Sequence, residues 1–75
     1  MDDFRRIKLG GELSAHITNM WLDEPEKVEL LDFEMVMCQA ISCQIVGAAK
    51  DLKVDPVKLA NAIHEGTLKF IEKWK

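Results

Sequence analysis

The apolar positions of this chain recur with helical spacing, and no segment alternates as a strand does. Leu13, Ile17, Met20 and Trp21 fall three and four residues apart, which predicts a helix over 12–22. The preceding Gly10-Gly11 invites a hairpin turn, but that register sets Leu9 against Glu12 and Ile7 against Ser14. Neither side of such a hairpin is consistently apolar. Two consecutive glycines in a helix interior cost roughly 2 kcal/mol. Residues 1–11 are therefore expected to form a flexible arm or a separate helical turn.

A second helix is predicted over 25–52. Asp23 or Glu24 serves as its cap, Pro25 takes the first helical position, and Glu26 and Glu29 complement the positive end of the helix dipole. Such a helix is about 42 Å long. From Met35 to Ala49 it carries no charged residue, and its apolar side chains go all the way round the cylinder. A helix that is apolar on every side is a buried helix. The uncharged run falls short of the roughly 20 residues that a bilayer span requires, so no membrane partner is expected.

The third helix is predicted over 56–74, with Asp55 as cap and Pro56 at the first position. Lys58, Asn61, Glu65, Lys69, Glu72 and Lys73 share one polar face. Leu59, Ile63, Phe70 and Trp74 form one apolar stripe, and Val57, Ala60, Leu68 and Ile71 form a second, about 110° away. One stripe can pack on the central helix, and the other requires a further surface.

The pattern as a whole gives an all-α fold: a single domain of three helices with the middle one longest. Two other helices of one chain cannot cover a 42 Å rod on every side, so the expected assembly is a helical-bundle homodimer. Its core is expected to comprise Met35, Met37, Cys38, Ile41, Ile45 and Ala48 of the central helix. Leu59, Ile63, Phe70 and Trp74 of the third helix complete it. Phe4 and Trp21 are candidate lids over one side.

Length strengthens this expectation. A chain of 75 residues buries only about 60% of its unfolded surface, which leaves a single-chain core marginal. A composition of 48% apolar and 31% charged residues is globular and argues against disorder. Cys38 and Cys43 lie about 140° apart around a helix, too divergent to bridge within it, and are read as reduced core thiols. Met1-Asp2-Asp3 is acidic and charges interrupt the first apolar stretch, unlike a signal peptide. A cytoplasmic location is expected. Residues 1–43 hold four basic side chains against nine acids, and residues 44–75 hold six lysines against four acids. The leading reading is two ordinary solvated surfaces; alternatively the two halves attract each other between subunits, or the basic half meets an acidic partner.

Candidate chemistry is sparse. His16 and His64 sit on different helices, and Cys38, Cys43 and His64 match no zinc spacing. His64 is read as buried or interfacial. No nucleophile signature or phosphate-binding glycine loop is present. No enzymatic activity, metal or cofactor is expected.

One stretch carries a family resemblance. Ala49-Lys50-Asp51-Leu52-Lys53-Val54, then Leu59 and Ala62-Ile63-His64-Glu65-Gly66, resembles the helix-turn-helix of phage Cro-type repressors, ungapped over 49–66. Ala49 stands where the two helices of that motif approach closely, and Leu52, Val54 and Leu59 stand where apolar residues lock its turn. The resemblance implies a second helix that enters the major groove, with Pro56, Val57, Lys58, Ala60 and Asn61 facing DNA. Lys53 replaces the usual turn glycine, only Asn61 is a good reader of base edges, and no arginine follows Arg6. A plain helical hairpin generates much of the same pattern.

The leading expectation is a small noncatalytic interaction or regulatory protein, acting as a homodimer that binds another macromolecule. The alternative is a helix-turn-helix DNA-binding transcriptional regulator of bacterial or phage type. Both place the central helix in an interface. Met37→Asp or Ile41→Asp is therefore expected to dissociate or unfold the protein, because either buries an unpaired carboxylate. Light scattering with circular dichroism checks this, and an unchanged, fully folded assembly counts against burial.

Overall fold

A computed structural model describes all residues, Met1–Lys75. The chain is all-helical, with α1 at Asp3–Leu22, α2 at Leu30–Leu52 and α3 at Pro56–Trp74.

Helix α1 runs unbroken through Gly10-Gly11, where an arm or a break was expected. Both glycines keep negative φ. The Asp2 carboxylate accepts from the Arg5 N–H at 2.7 Å, and Asp3 pairs with Arg6 within the first turn. Good helix formers, among them Arg5, Arg6, Leu9, Glu12 and Leu13, flank the glycines, and no proline interrupts them. The glycine penalty is thus spread over 20 residues.

Helix α2 starts at Leu30, five residues later than Pro25 suggested. Asp23 closes α1 instead, its N–H donating to the Asn19 carbonyl at 3.0 Å. Glu24 Oε1 accepts from the Glu26 N–H in a local turn that does not propagate. The effective start signal lies further on, where the Glu29 N–H donates to Asp32 Oδ2 at 3.1 Å. Residues 23–29 therefore form an acidic connector.

Helices α2 and α3 are joined by Lys53, Val54 and Asp55. Lys53 adopts the left-handed conformation (φ 57°, ψ 47°), and both its N–H and that of Val54 donate to the Ala49 carbonyl. This is the arrangement in which glycine usually ends a helix. Asp55 then caps α3, its Oδ1 accepting from the Val57 N–H at 2.8 Å, with Pro56 at the first helical position.

The three helices are splayed. Backbones of α2 and α3 approach each other, whereas no Cα of α1 comes within 8 Å of either. Ile45 and Ala49 are the only buried residues, and Leu59 and Ala60 of α3 are half-buried. Further along, Phe70 and Trp74 are exposed, so α3 diverges from α2 beyond the turn rather than lying back along it. The Cα radius of gyration is 14.1 Å, against about 11 Å for a compact chain of this length.

The expectation of a wholly buried central helix does not hold within one chain. Met35, Val36, Cys38, Ile41, Cys43 and Val46 are all exposed, because α1 stands off and α3 covers only the last turns. Both thiols are exposed in the single chain. His64 is exposed too, on the outer side of α3.

Two substitutions report on these backbones. Gly11→Ala is expected to stabilise α1 by roughly 1 kcal/mol, since a Cβ there meets nothing within 4 Å. Lys53→Gly is expected to raise stability by up to about 1 kcal/mol through relief of the left-handed backbone. Thermal and urea unfolding followed by circular dichroism measures both. A loss of stability in either variant contradicts the assigned backbone.

Candidate interaction surface

The candidate functional feature of this chain is its uncovered surface. The accessible area is 6991 Å², whereas a folded monomer of 8.6 kDa is expected to expose about 4,700 Å². The excess, about 2,300 Å², exceeds the roughly 800 Å² per partner of a standard interface. Single exposed hydrophobic residues are ordinary, but contiguous apolar faces on all three helices are not.

The expected core residues separate into two groups. Ile45 is covered by α3 of its own chain, and so is unavailable to a partner; Ala48 and Leu59 beside it are half-buried. Met35, Cys38, Ile41, Ile63, Phe70 and Trp74 are exposed. Phe70 and Trp74 lie one helical turn apart, with ring centroids 5.2 Å apart and planes tilted by 39°, and both rings are exposed. No other helix of the chain covers them.

A groove opens between α1 and α2. Leu13, Ile17 and Trp21 line it from α1, where four-residue spacing puts them on one face. Phe33 and Met37 line it from α2, again four residues apart, and Gly10 keeps its outer end low. Trp21 meets Phe33 at a centroid distance of 5.4 Å, and this contact closes the inner end. The Trp21 indole N–H is shielded from solvent and has no acceptor. Of the two candidate lids, Trp21 is half-buried and Phe4 is exposed. The wall residues Leu13, Ile17 and Trp21 fall within the helix expected over 12–22, but periodicity does not say which helix faces them, so the groove was not legible in advance.

Electrostatics divide along the same line. The connector and the start of α2 carry Asp23, Glu24, Glu26, Glu29, Asp32 and Glu34 against Lys27 alone. The last turns of α3 carry Lys69, Lys73 and Lys75 against Glu65 and Glu72. The ion pairs are local and exposed, as with Lys75 and Glu72 at 2.9 Å, and contribute little to stability.

The candidate DNA-facing set sits at the start of α3. Pro56, Val57, Lys58 and Asn61 are exposed, and Ala60 is half-buried against α2. Lys53, which stands where the resembled motif carries glycine, has the left-handed backbone that glycine would favour there.

Helix α2 is the one helix long and apolar enough, by length and composition, to cross a membrane. Its uncharged part, however, extends only about 22 Å, against a hydrocarbon core of about 30 Å. No three His, Cys, Asp or Glu side chains cluster as a metal site would require. No protein-family model, curated protein or solved structure matches the chain.

Proposed function

We propose that this chain is a noncatalytic helical interaction and regulatory protein that acts as a homodimer and presents a helical surface to another macromolecule. One observation carries the reading: about 2,300 Å² of surface beyond that of a folded monomer of its mass, concentrated on apolar helix faces. Water penalises such exposure by roughly 25 cal/mol per Å² of apolar area, which favours association. A second copy supplies matching faces at no further sequence requirement, and self-complementary pairing is the commonest symmetric solution. A bilayer fits less well, because the charge-free run of α2 is short and Asp32, Glu34, Lys50 and Asp51 bound it closely.

A second reading, DNA binding, draws support from the α2–α3 joint. A three-residue turn, a left-handed Lys53 and an exposed first turn of α3 are features a helix-turn-helix requires. It ranks second because Asn61 is the only strong base reader there and Asp51 and Asp55 offset the nearby lysines.

Light scattering distinguishes the outcomes for assembly. A solution mass about twice 8.6 kDa is expected at micromolar concentration. Ile41→Asp, at a position exposed in the single chain, is expected to lower that mass while circular dichroism remains helical. A wild-type chain that stays monomeric and helical at high micromolar concentration overturns the homodimer. Gel shifts on random duplex pools at low salt address DNA. Sequence enrichment would favour the second reading, and no shift at excess protein would eliminate it.

A further inference from the structure

We propose that the distal half of α3 from one copy docks in the α1–α2 groove of a second copy, so that two chains exchange their C-terminal helices. This rests on the homodimer reading above and specifies which surfaces meet.

Three observations carry it. First, the groove and the helix are complementary in kind. The groove is an apolar trough with a one-helix repeat on each wall, Leu13, Ile17 and Trp21 against Phe33 and Met37. The distal half of α3 offers Phe70 and Trp74 at four-residue spacing, in ring contact and exposed. An amphipathic helix laid into a hydrophobic groove is recognised through such spacing. Second, the charges match. The closed end of the groove adjoins the acidic connector, and the end of α3 is lysine-rich. Third, the area suffices. A reciprocal exchange uses each copy twice, as groove and as helix, which suits an excess well above one standard interface.

The second copy is favoured over closure within one chain by the α2–α3 joint. Folding α3 back along its own α2 would bring Phe70 near Cys38 by helix rise alone, because both lie about fifteen residues from the turn. The turn is instead fixed at both ends, by the two N–H donors on the Ala49 carbonyl and by the Asp55 cap, and it holds α3 away from α2. A short, rigid connector that prevents closure in cis while the complementary surfaces persist is the situation in which chains swap elements.

Complementation tests the exchange. Leu13→Asp disables the groove and leaves α3 intact; Phe70→Asp does the reverse. Both residues are exposed in the single chain and lie outside the Ile45 and Ala49 core; Phe70→Asp gives up only the ring contact with Trp74. Each is expected to weaken self-association at least tenfold by light scattering. A mixture of the two is expected to associate more tightly than either alone, since the mixed dimer keeps one intact groove and helix. A loss below tenfold in either variant, or a mixture no better than its components, overturns the exchange and leaves a dimer through α2 standing. A monomeric wild type overturns both. Leu13→Ala and Phe70→Ala, which introduce no charge, give a readout independent of folding defects in the charged variants. Each is expected to weaken self-association by light scattering, and unchanged self-association in both overturns groove occupancy.

Discussion

Ile45 and Ala49 of α2, tucked under the first turns of α3, are the only side chains that this chain removes from water unaided. Their burial depends on the geometry of three residues. Lys53 must take a left-handed backbone so that two N–H groups can reach the Ala49 carbonyl, and Asp55 must turn back to cap α3. That joint sets the direction of α3, and the direction of α3 decides which apolar surface stays open. Everything beyond the joint is secondary structure held by its own hydrogen bonds, with one aromatic contact between Trp21 and Phe33 to orient α1.

Helices of 19–23 residues in proteins draw most of their stability from an apolar face packed against something rather than from intrinsic propensity. In this chain the packing partner is largely missing from the same copy. The proposed dimer addresses that imbalance, because each exposed stripe then has a counterpart. It also accounts for the small side chains near the groove. Gly10 and Ser14 on α1 leave room for a third helix to approach closely, where larger residues would fill the trough.

The elements were more legible than their packing. Asp55-Pro56 marks the start of α3 unambiguously, since cap and proline fall at one place and nothing competes downstream. The start of α2 is ambiguous in the sequence because two acidic start signals lie five residues apart. Glu24-Pro25 has the form of a cap, but the reciprocal partner at the fourth position is Asp32 to Glu29, and that pair closes the first turn. Gly10-Gly11 misled in the opposite sense, because a local penalty was weighed without the helix formers on either side. Burial was the least legible property of all. Periodicity tells which faces are apolar but not which chain covers them, so Cys38, Cys43 and His64, expected to be buried or interfacial, are exposed in the single chain. The groove depended on the tertiary placement of a continuous α1, and no local signal encodes that.

The two functional readings make different demands on α3, and these demands fall on different parts of it. Association uses the apolar stripe near Phe70 and Trp74, about three turns beyond Asn61. Base reading would use the first turns, around Pro56, Val57, Lys58 and Asn61, which an exchanged dimer leaves uncovered. A dimer built through the distal half of α3 would therefore display two such first turns, as a two-fold DNA reader requires. Charge separates the readings where geometry does not. Affinity for DNA comes chiefly from phosphate neutralisation by clustered Lys and Arg. The joint carries Lys50, Lys53 and Lys58 against Asp51 and Asp55, a net of one positive charge per copy on a chain of net charge −3. So small a positive field provides little attraction to a polyanion, whereas the apolar surface provides a large driving force for helix packing. On those magnitudes, binding to protein ranks ahead of binding to nucleic acid.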